Sequence, residues 1–247
     1  MTIRIAIWSG PRNISTAMMR SFDNRDDTSV IDEPFYAAYL AGSGRRHPMR
    51  AESMASQPTD WRSVVATVLG PAPGDRPIFY QKHMTHHMLP GFGRDWIAKC
   101  RNAFLIRPPE AVLASWVKKH EEVSLADIGA VQQHELFARE ADRLGRAPPV
   151  IAADDVLADP RGALSALCRA LDIPFSERML HWPAGPRDTD GVWAAVWYDA
   201  VIRSTGFSPP KPTEEITLPD ALQRIADEAR PHYEALATWK IDPQTDC

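Results

Sequence analysis

Ile3-Arg4-Ile5-Ala6-Ile7-Trp8-Ser9-Gly10-Pro11-Arg12-Asn13-Ile14-Ser15-Thr16 is the stretch on which the reading of the whole chain turns. Its first half is a short apolar run, rich in β-branched residues, that stops at Ser9-Gly10; it reads as a strand. A helical pattern, Ser15–Phe22, begins at once. A loop between a strand and a helix N-terminus aims free backbone N–H groups at one point, where the helix dipole adds partial positive charge. Arg12 brings a permanent charge and a planar fork of donors, and Asn13, Ser15 and Thr16 bring short polar side chains. The stretch therefore suits an anion. A plainer reading stays open, in which Ser15 or Thr16 caps the helix and Arg12 is a solvated loop charge. The nucleotide-triphosphatase pattern GxxxxGK[ST] is absent.

Four more apolar runs read as strands: Thr28–Asp32, Ile78–Lys82, Ala103–Arg107 and Val150–Asp154. Near-continuous apolar runs suit strands covered on both faces, as in a parallel sheet. Helical patterns fall at Trp61–Leu69, Pro109–His120, Leu125–Leu144 and Gly162–Leu171, and the strand–helix alternation predicts βαβ units. Two stretches break the rhythm. Residues 41–59 read as a loop or lid. Residues 181–214, with Trp182, Trp193 and Trp197 among prolines, read as an irregular covering segment. A last helix is expected at about 220–239. With 247 residues, 44% hydrophobic and 24% charged, the chain suits one α/β domain over 1–247.

The net charge of −4 supplies no global field for nucleic acid or an anionic membrane, so any phosphate must be caught locally. Neither nucleic acid nor a membrane is expected as a partner; a small-molecule acceptor is, and a homodimer is allowed. Cys100, Cys168 and Cys247 are scattered, which fits a reducing compartment, and a cytoplasmic location is expected. His83 and His87 share the spacing of a zinc-binding helix, but Met84 stands where HExxH needs Glu, and no metal is expected.

A second anion site is legible at Phe104-Leu105-Ile106-Arg107. Arg107 stands at the carboxyl end of a strand, where open α/β sheets bind ligands. Pro108-Pro109 then start a helix that carries Ser115, so Arg107 and Ser115 can pinch one phosphate.

Taken together, Pro11-Arg12-Asn13-Ile14-Ser15-Thr16, the strand ending in Arg107 with Ser115 eight residues on, and the Val150-to-Phe175 stretch resemble the sulfotransferases that use 3′-phosphoadenosine 5′-phosphosulfate (PAPS). The resemblance covers roughly residues 3–175. It implies a three-layer P-loop-like α/β fold with a central, mainly parallel five-stranded sheet flanked by helices. It also implies that Pro11, Arg12, Asn13, Ser15 and Thr16 hold the 5′-phosphosulfate and that Arg107 and Ser115 hold the 3′-phosphate. Two departures stand out: Ile14 replaces a common Gly, and the C-terminal Arg-Lys-Gly motif is missing, with Arg203-Ser204 a conceivable substitute.

The implied reaction is an in-line sulfuryl transfer, mostly positioning and electrostatic stabilisation. Arg12 is placed to neutralise charge on the leaving nucleotide, and Lys82 is the candidate to neutralise or protonate it. Glu33, His83 and His86 are the candidate bases for the acceptor's hydroxyl or amine. Tyr36, Tyr39, Trp193, Trp197 and Tyr198 can line an acceptor pocket, while Arg45, Arg46 and Arg50 suit an anionic acceptor. Two rival functions remain open at this level: a non-catalytic nucleotide-binding protein, and a small-molecule kinase on a related fold.

Overall fold

The computed structural model describes residues 2–118, 122–209 and 216–243. Five parallel strands form one sheet in the order β2-β3-β1-β4-β5: β1 Ile3–Ser9, β2 Thr28–Asp32, β3 Ile78–Met84, β4 Arg101–Ile106 and β5 Val150–Ala152. The runs lack an apolar/polar alternation because both faces are covered. On one face Ile5, Ile7, Tyr80 and Leu105 pack against Met18 and Phe22 of α1 (Ser15–Asp23) and, beyond them, Leu164 and Leu167. On the other, Ala6, Trp8, Phe104 and Ile106 meet Val64 and Val68, Leu136 and Phe137, and Leu236. Successive strand residues point to opposite faces, so the central strands β1 and β4 carry apolar groups toward both.

Between β2 and β3 lie α2 (Tyr36–Ser43), α3 (Arg50–Ser56) and α4 (Trp61–Leu69). Residues 41–59 are thus not all loop: α3 interrupts them. After β4 come α5 (Pro109–Trp116), α6 (Leu125–Ile128) and α7 (Ala130–Leu144). The expected single helix 125–144 is broken at Gly129, whose φ is +68° and where a Cβ would stand 2.5 Å from Thr85 Oγ1. Only glycine meets both conditions without strain.

The fifth strand is shorter than its sequence suggests. It ends at Ala152, and α8 (Ala153–Ala158) takes over, with Asp154 and Asp155 in its first turn. Carboxylates there suit the positive end of a helix. Then follow α9 (Pro160–Ala170), the one-turn helices α10 (Ala194–Trp197) and α11 (Asp199–Ile202) inside the covering segment, and α12 (Asp220–Ala237). His120, the expected end of the helical pattern Pro109–His120, Cys247, and residues 210–214 of the covering segment lie outside the described residues.

β1 sits at the centre, with β2 and β3 on one side and β4 and β5 on the other. A reversal of strand order of this kind opens a crevice beyond the carboxyl ends of the strands. This is the three-layer P-loop-like arrangement. Among the described residues, no helix is long and apolar enough to cross a membrane.

Candidate active site

The turn leaving β1 is held in a demanding shape. Arg12 (φ 56°) and Ile14 (φ 40°) both occupy the left-handed region, which for a β-branched residue is an outlier. A Cβ on Gly10 would stand 2.5 Å from the carbonyl oxygen of Ile128, so the backbone there admits no side chain. Asn13 pins the loop to the neighbouring strand, its Nδ2 donating to the Leu105 carbonyl at 2.7 Å. No side chain caps the N-terminus of α1. The plainer reading, in which Ser15 or Thr16 serves as the cap, is therefore not what the structure adopts.

Three residues singled out from the sequence meet at this turn. Arg12 Nε donates to Ser115 Oγ at 3.1 Å, and Arg107 Nη1 donates to the Arg12 carbonyl at 2.7 Å. Residues 95 and 103 positions apart are thus joined on one cleft. Burial, and then the charge of Arg107, lowers the pKa of Arg12; burial lowers that of Arg107 against the pull of Asp154. Among the described residues no carboxylate pairs directly with either guanidinium. Ser9 Oγ, Asn13 Oδ1 and Arg107 Nε are buried and unpartnered. Leaving such groups unsatisfied costs about 1–3 kcal/mol each, so the arrangement fits an anion that accepts from arginine. A small cavity beside it is lined by Gly10, Asn13, Arg107, Gln133, His232 and Tyr233. The last two come from α12, where the sequence pattern marks Tyr233 only as part of an apolar stripe and gives no sign of the site. Arg203 and Ser204 do not line it, and Ser204 Oγ is engaged by Trp182 Nε1 at 3.0 Å.

Next to β1, the ends of β2 and β3 build an acid–base cluster. Lys82, 1% exposed, donates from Nζ to Asp32 Oδ1 at 2.8 Å, to Glu33 Oε1 at 2.6 Å and to the Tyr198 hydroxyl at 2.7 Å. Burial alone would lower its pKa, but Asp32 and Glu33 raise it well above the ordinary lysine value, so the ammonium is permanent. Burial first, and the neighbouring Asp32 carboxylate, hold Glu33 above the ordinary glutamate range against the attraction of Lys82. Glu33 has φ 41°, a third strained backbone in this region. Asp32 and its three donors were not anticipated. The adjacent acids at a strand end were the only local sign.

The histidines divide differently from expectation. β3 runs two residues beyond Lys82, so His83 lies within the strand and points to the opposite face. It stacks on Trp8 with centroids 4.5 Å apart, and its Nε2 meets Gln81 Oε1 at 3.1 Å. Burial pushes its pKa down to about 3. The geometry therefore removes His83 from the group beside Lys82. His86 is likewise pushed to about 3, by burial first. His87, which the sequence marked only for zinc spacing, is sandwiched between Tyr36 and Tyr39 and places Nε2 3.9 Å from Glu33 Oε2. His87 sits in a short 3-10 turn (Thr85–His87) while His83 sits in the strand, so the two share no helix.

Because His83 and His86 are neutral when folded and take a proton near pH 6.5 when unfolded, acid favours the unfolded chain. Their contribution to stability is complete above about pH 6.5 and is lost as the pH falls toward 3. Urea unfolding between pH 6 and 4.5 is expected to show a loss on the order of 1 kcal/mol per pH unit for each histidine. His83→Leu is expected to remove its share of that slope.

The aromatics expected to line an acceptor pocket do assemble. Tyr36, Tyr39, Trp193 and Tyr198 form one buried cluster with Leu40, and Trp197 packs against it. Arg45 and Arg50 lie at its border, the charge of Arg45 acting on Tyr39. Arg45 pairs with Asp127 at 2.8 Å, Arg50 donates to the Leu40 carbonyl at 3.1 Å, and Arg46 is exposed.

Comparison with known proteins gives a consistent result. The family model described as "Sulfotransferase domain" matches residues 3–239. Two proteins of Arabidopsis thaliana are similar. Branched-chain-amino-acid aminotransferase-like protein 2 is 34% identical over 94% of this chain and 41% of its own length, and the related protein 1 is 38% identical over 83% and 36%. The chain thus spans less than half the length of these relatives. Among solved structures, the sulfotransferase domain of the Synechococcus PCC 7002 olefin synthase superposes with a TM-score of 0.58 at 17% identity, over 94% of this chain and 95% of that one. A sulfotransferase from Alicyclobacillus acidocaldarius superposes with a TM-score of 0.55 at 13% identity, over 98% of both chains. At such identities the superpositions speak for the fold.

Proposed function

This chain belongs to the sulfotransferase family, and we propose that it moves a sulfuryl group from PAPS to a hydroxyl or amine of a small-molecule acceptor. The observation that carries this reading is the joining of Arg12, Arg107 and Ser115 at one cleft with no direct carboxylate partner for either arginine among the described residues. The charge of Arg107 bears on Arg12, and a nucleotide with phosphate at both ends would relieve that repulsion. In this reading the turn Pro11–Thr16 and the uncapped start of α1 hold the 5′-phosphosulfate, and Arg107 with Ser115 holds the 3′-phosphate.

The acceptor oxygen attacks sulfur while the bond from sulfur to the nucleotide's phosphate oxygen breaks. Glu33 takes the acceptor's proton, and adenosine 3′,5′-bisphosphate leaves. A carboxylate raised by burial is matched to that task. Lys82 keeps its proton and acts as a fixed positive charge rather than as an acid. Arg12 neutralises charge that builds on the leaving phosphate, since arginine holds its proton throughout.

Calorimetry with adenosine 3′,5′-bisphosphate, adenosine 5′-phosphate and ATP with Mg²⁺ tests the donor. The bisphosphate is expected to bind best. Arg107→Ala is expected to weaken it by about 100-fold, the loss of one or two charge-assisted hydrogen bonds, and to leave the 5′-phosphate nearly unchanged. Equal affinity for bisphosphate and monophosphate in the wild type would remove the 3′-phosphate site from the proposal. Preference for ATP with Mg²⁺ would favour the kinase.

A further inference from the structure

The covering segment contributes a hydroxyl to the cluster at the ends of β2 and β3. A phenol has one proton and can accept two hydrogen bonds. The Tyr198 oxygen accepts from Lys82 Nζ at 2.7 Å and from Trp193 Nε1 at 3.1 Å, which fills its accepting capacity. Its proton has two carboxylates to choose from. Asp32 oxygens stand at 2.8 and 3.0 Å, and Glu33 Oε1 at 3.5 Å. The shorter contacts direct the proton to Asp32. The backbone N–H of Gly191, from the same segment, adds another donor to Asp32 at 3.1 Å.

Asp32 thus receives Lys82, Tyr198 and Gly191. Glu33 receives Lys82 on Oε1, while its Oε2 accepts no hydrogen bond among the described residues and has His87 Nε2 at 3.9 Å, outside hydrogen-bond reach. Two neighbouring carboxylates on one backbone turn are made chemically unequal by a residue some 165 positions away. We propose that Tyr198 is a positioning residue for the transfer: its hydroxyl occupies Asp32 and Lys82, so that Glu33 Oε2 is the oxygen left to receive the acceptor's proton. The inference rests on the reading of Glu33 as base, and it makes the covering segment part of the chemistry.

The groups facing Glu33 are Asp32 beside it, Lys82 from β3, His87 from the turn that follows, Tyr36 from α2 and Tyr198. Tyr198 acts on Glu33 through Asp32: its proton partly neutralises the neighbouring carboxylate whose charge adds to burial in holding the Glu33 pKa up. Tyr198→Phe removes that donor and keeps the ring. Glu33 then holds its proton to higher pH.

The test is a carboxyl ¹³C NMR titration of protein labelled in its Asp and Glu side chains and saturated with adenosine 3′,5′-bisphosphate. Glu33→Gln assigns the signal. Tyr198→Phe is expected to shift the Glu33 midpoint upward while bisphosphate affinity stays at the wild-type level, a combination that simple loss of packing does not produce. An unmoved midpoint in a folded Tyr198→Phe protein overturns the role of Tyr198 and leaves the donor reading standing. Failure of the wild type to bind bisphosphate overturns the donor reading itself, whatever the titration shows. Should Tyr198→Phe not fold, the wild type carries the test. A slowly exchanging hydroxyl proton of Tyr198, with Overhauser contact to the Trp193 indole N–H, is expected, and its absence overturns the proposal.

Discussion

Glu33→Gln is expected to lower the rate of sulfuryl transfer by about 10²- to 10⁴-fold, the usual contribution of a general base. The substitution keeps size and an oxygen that can still accept from Lys82 Nζ, now 2.6 Å from Oε1. It removes only the capacity to take a proton. Nucleotide binding should persist, because in this reading Arg12, Arg107 and Ser115 hold the nucleotide and Glu33 does not. Single-turnover transfer from sulfur-labelled PAPS into a metabolite extract measures the rate, and calorimetry measures the binding. The pH profile adds a second readout. The wild-type rate should fall as acid protonates a Glu33 whose pKa is raised by burial, and the variant should lose that limb. Transfer at the wild-type rate in Glu33→Gln would shift the base to another group, with His87 the nearest.

Lys82→Met should be the costliest single change to the fold, at about 3–5 kcal/mol. The ammonium is 1% exposed and is the only cation in direct contact with both Asp32 and Glu33 among the described residues. Methionine fills similar space but leaves two buried carboxylates facing each other. The deficit should shrink as the pH falls, because Glu33 already holds its proton more firmly than an ordinary glutamate and needs least acid to neutralise. Urea midpoints at pH 7 and pH 5 read both effects. Adding Glu33→Gln to Lys82→Met should recover part of the loss, since one of the two stranded charges is gone.

Much of the sheet was legible because both of its faces are buried, so strands appear as uninterrupted apolar runs such as Ile3–Trp8. Their ends were less so. The apolar signal of the third strand fades at Lys82, yet β3 continues to Met84, and one residue of register decides which face His83 occupies. The meeting of Arg12 and Arg107 at one candidate anion site was approachable from sequence because strand–loop–helix geometry is local. The acid–base cluster was not. Asp32 looked like a strand-end acid and Tyr198 like one more aromatic in a covering segment. Their contact spans 166 positions, with no local spacing to betray it. The break at Gly129 escaped for a related reason: a lone glycine in a helical pattern is tolerated, and only the approach of Thr85 makes it necessary.

The left-handed conformations at Arg12 and Ile14 bear on how quickly and how rigidly a guest is received. A loop wound into an unusual shape before its ligand arrives has little freedom left to surrender on contact. The nucleotide's residence time, more than its rate of arrival, should then register changes in this turn. Restoring glycine at position 14 would let the peptide wander, and the cradle would have to be rewound at every encounter.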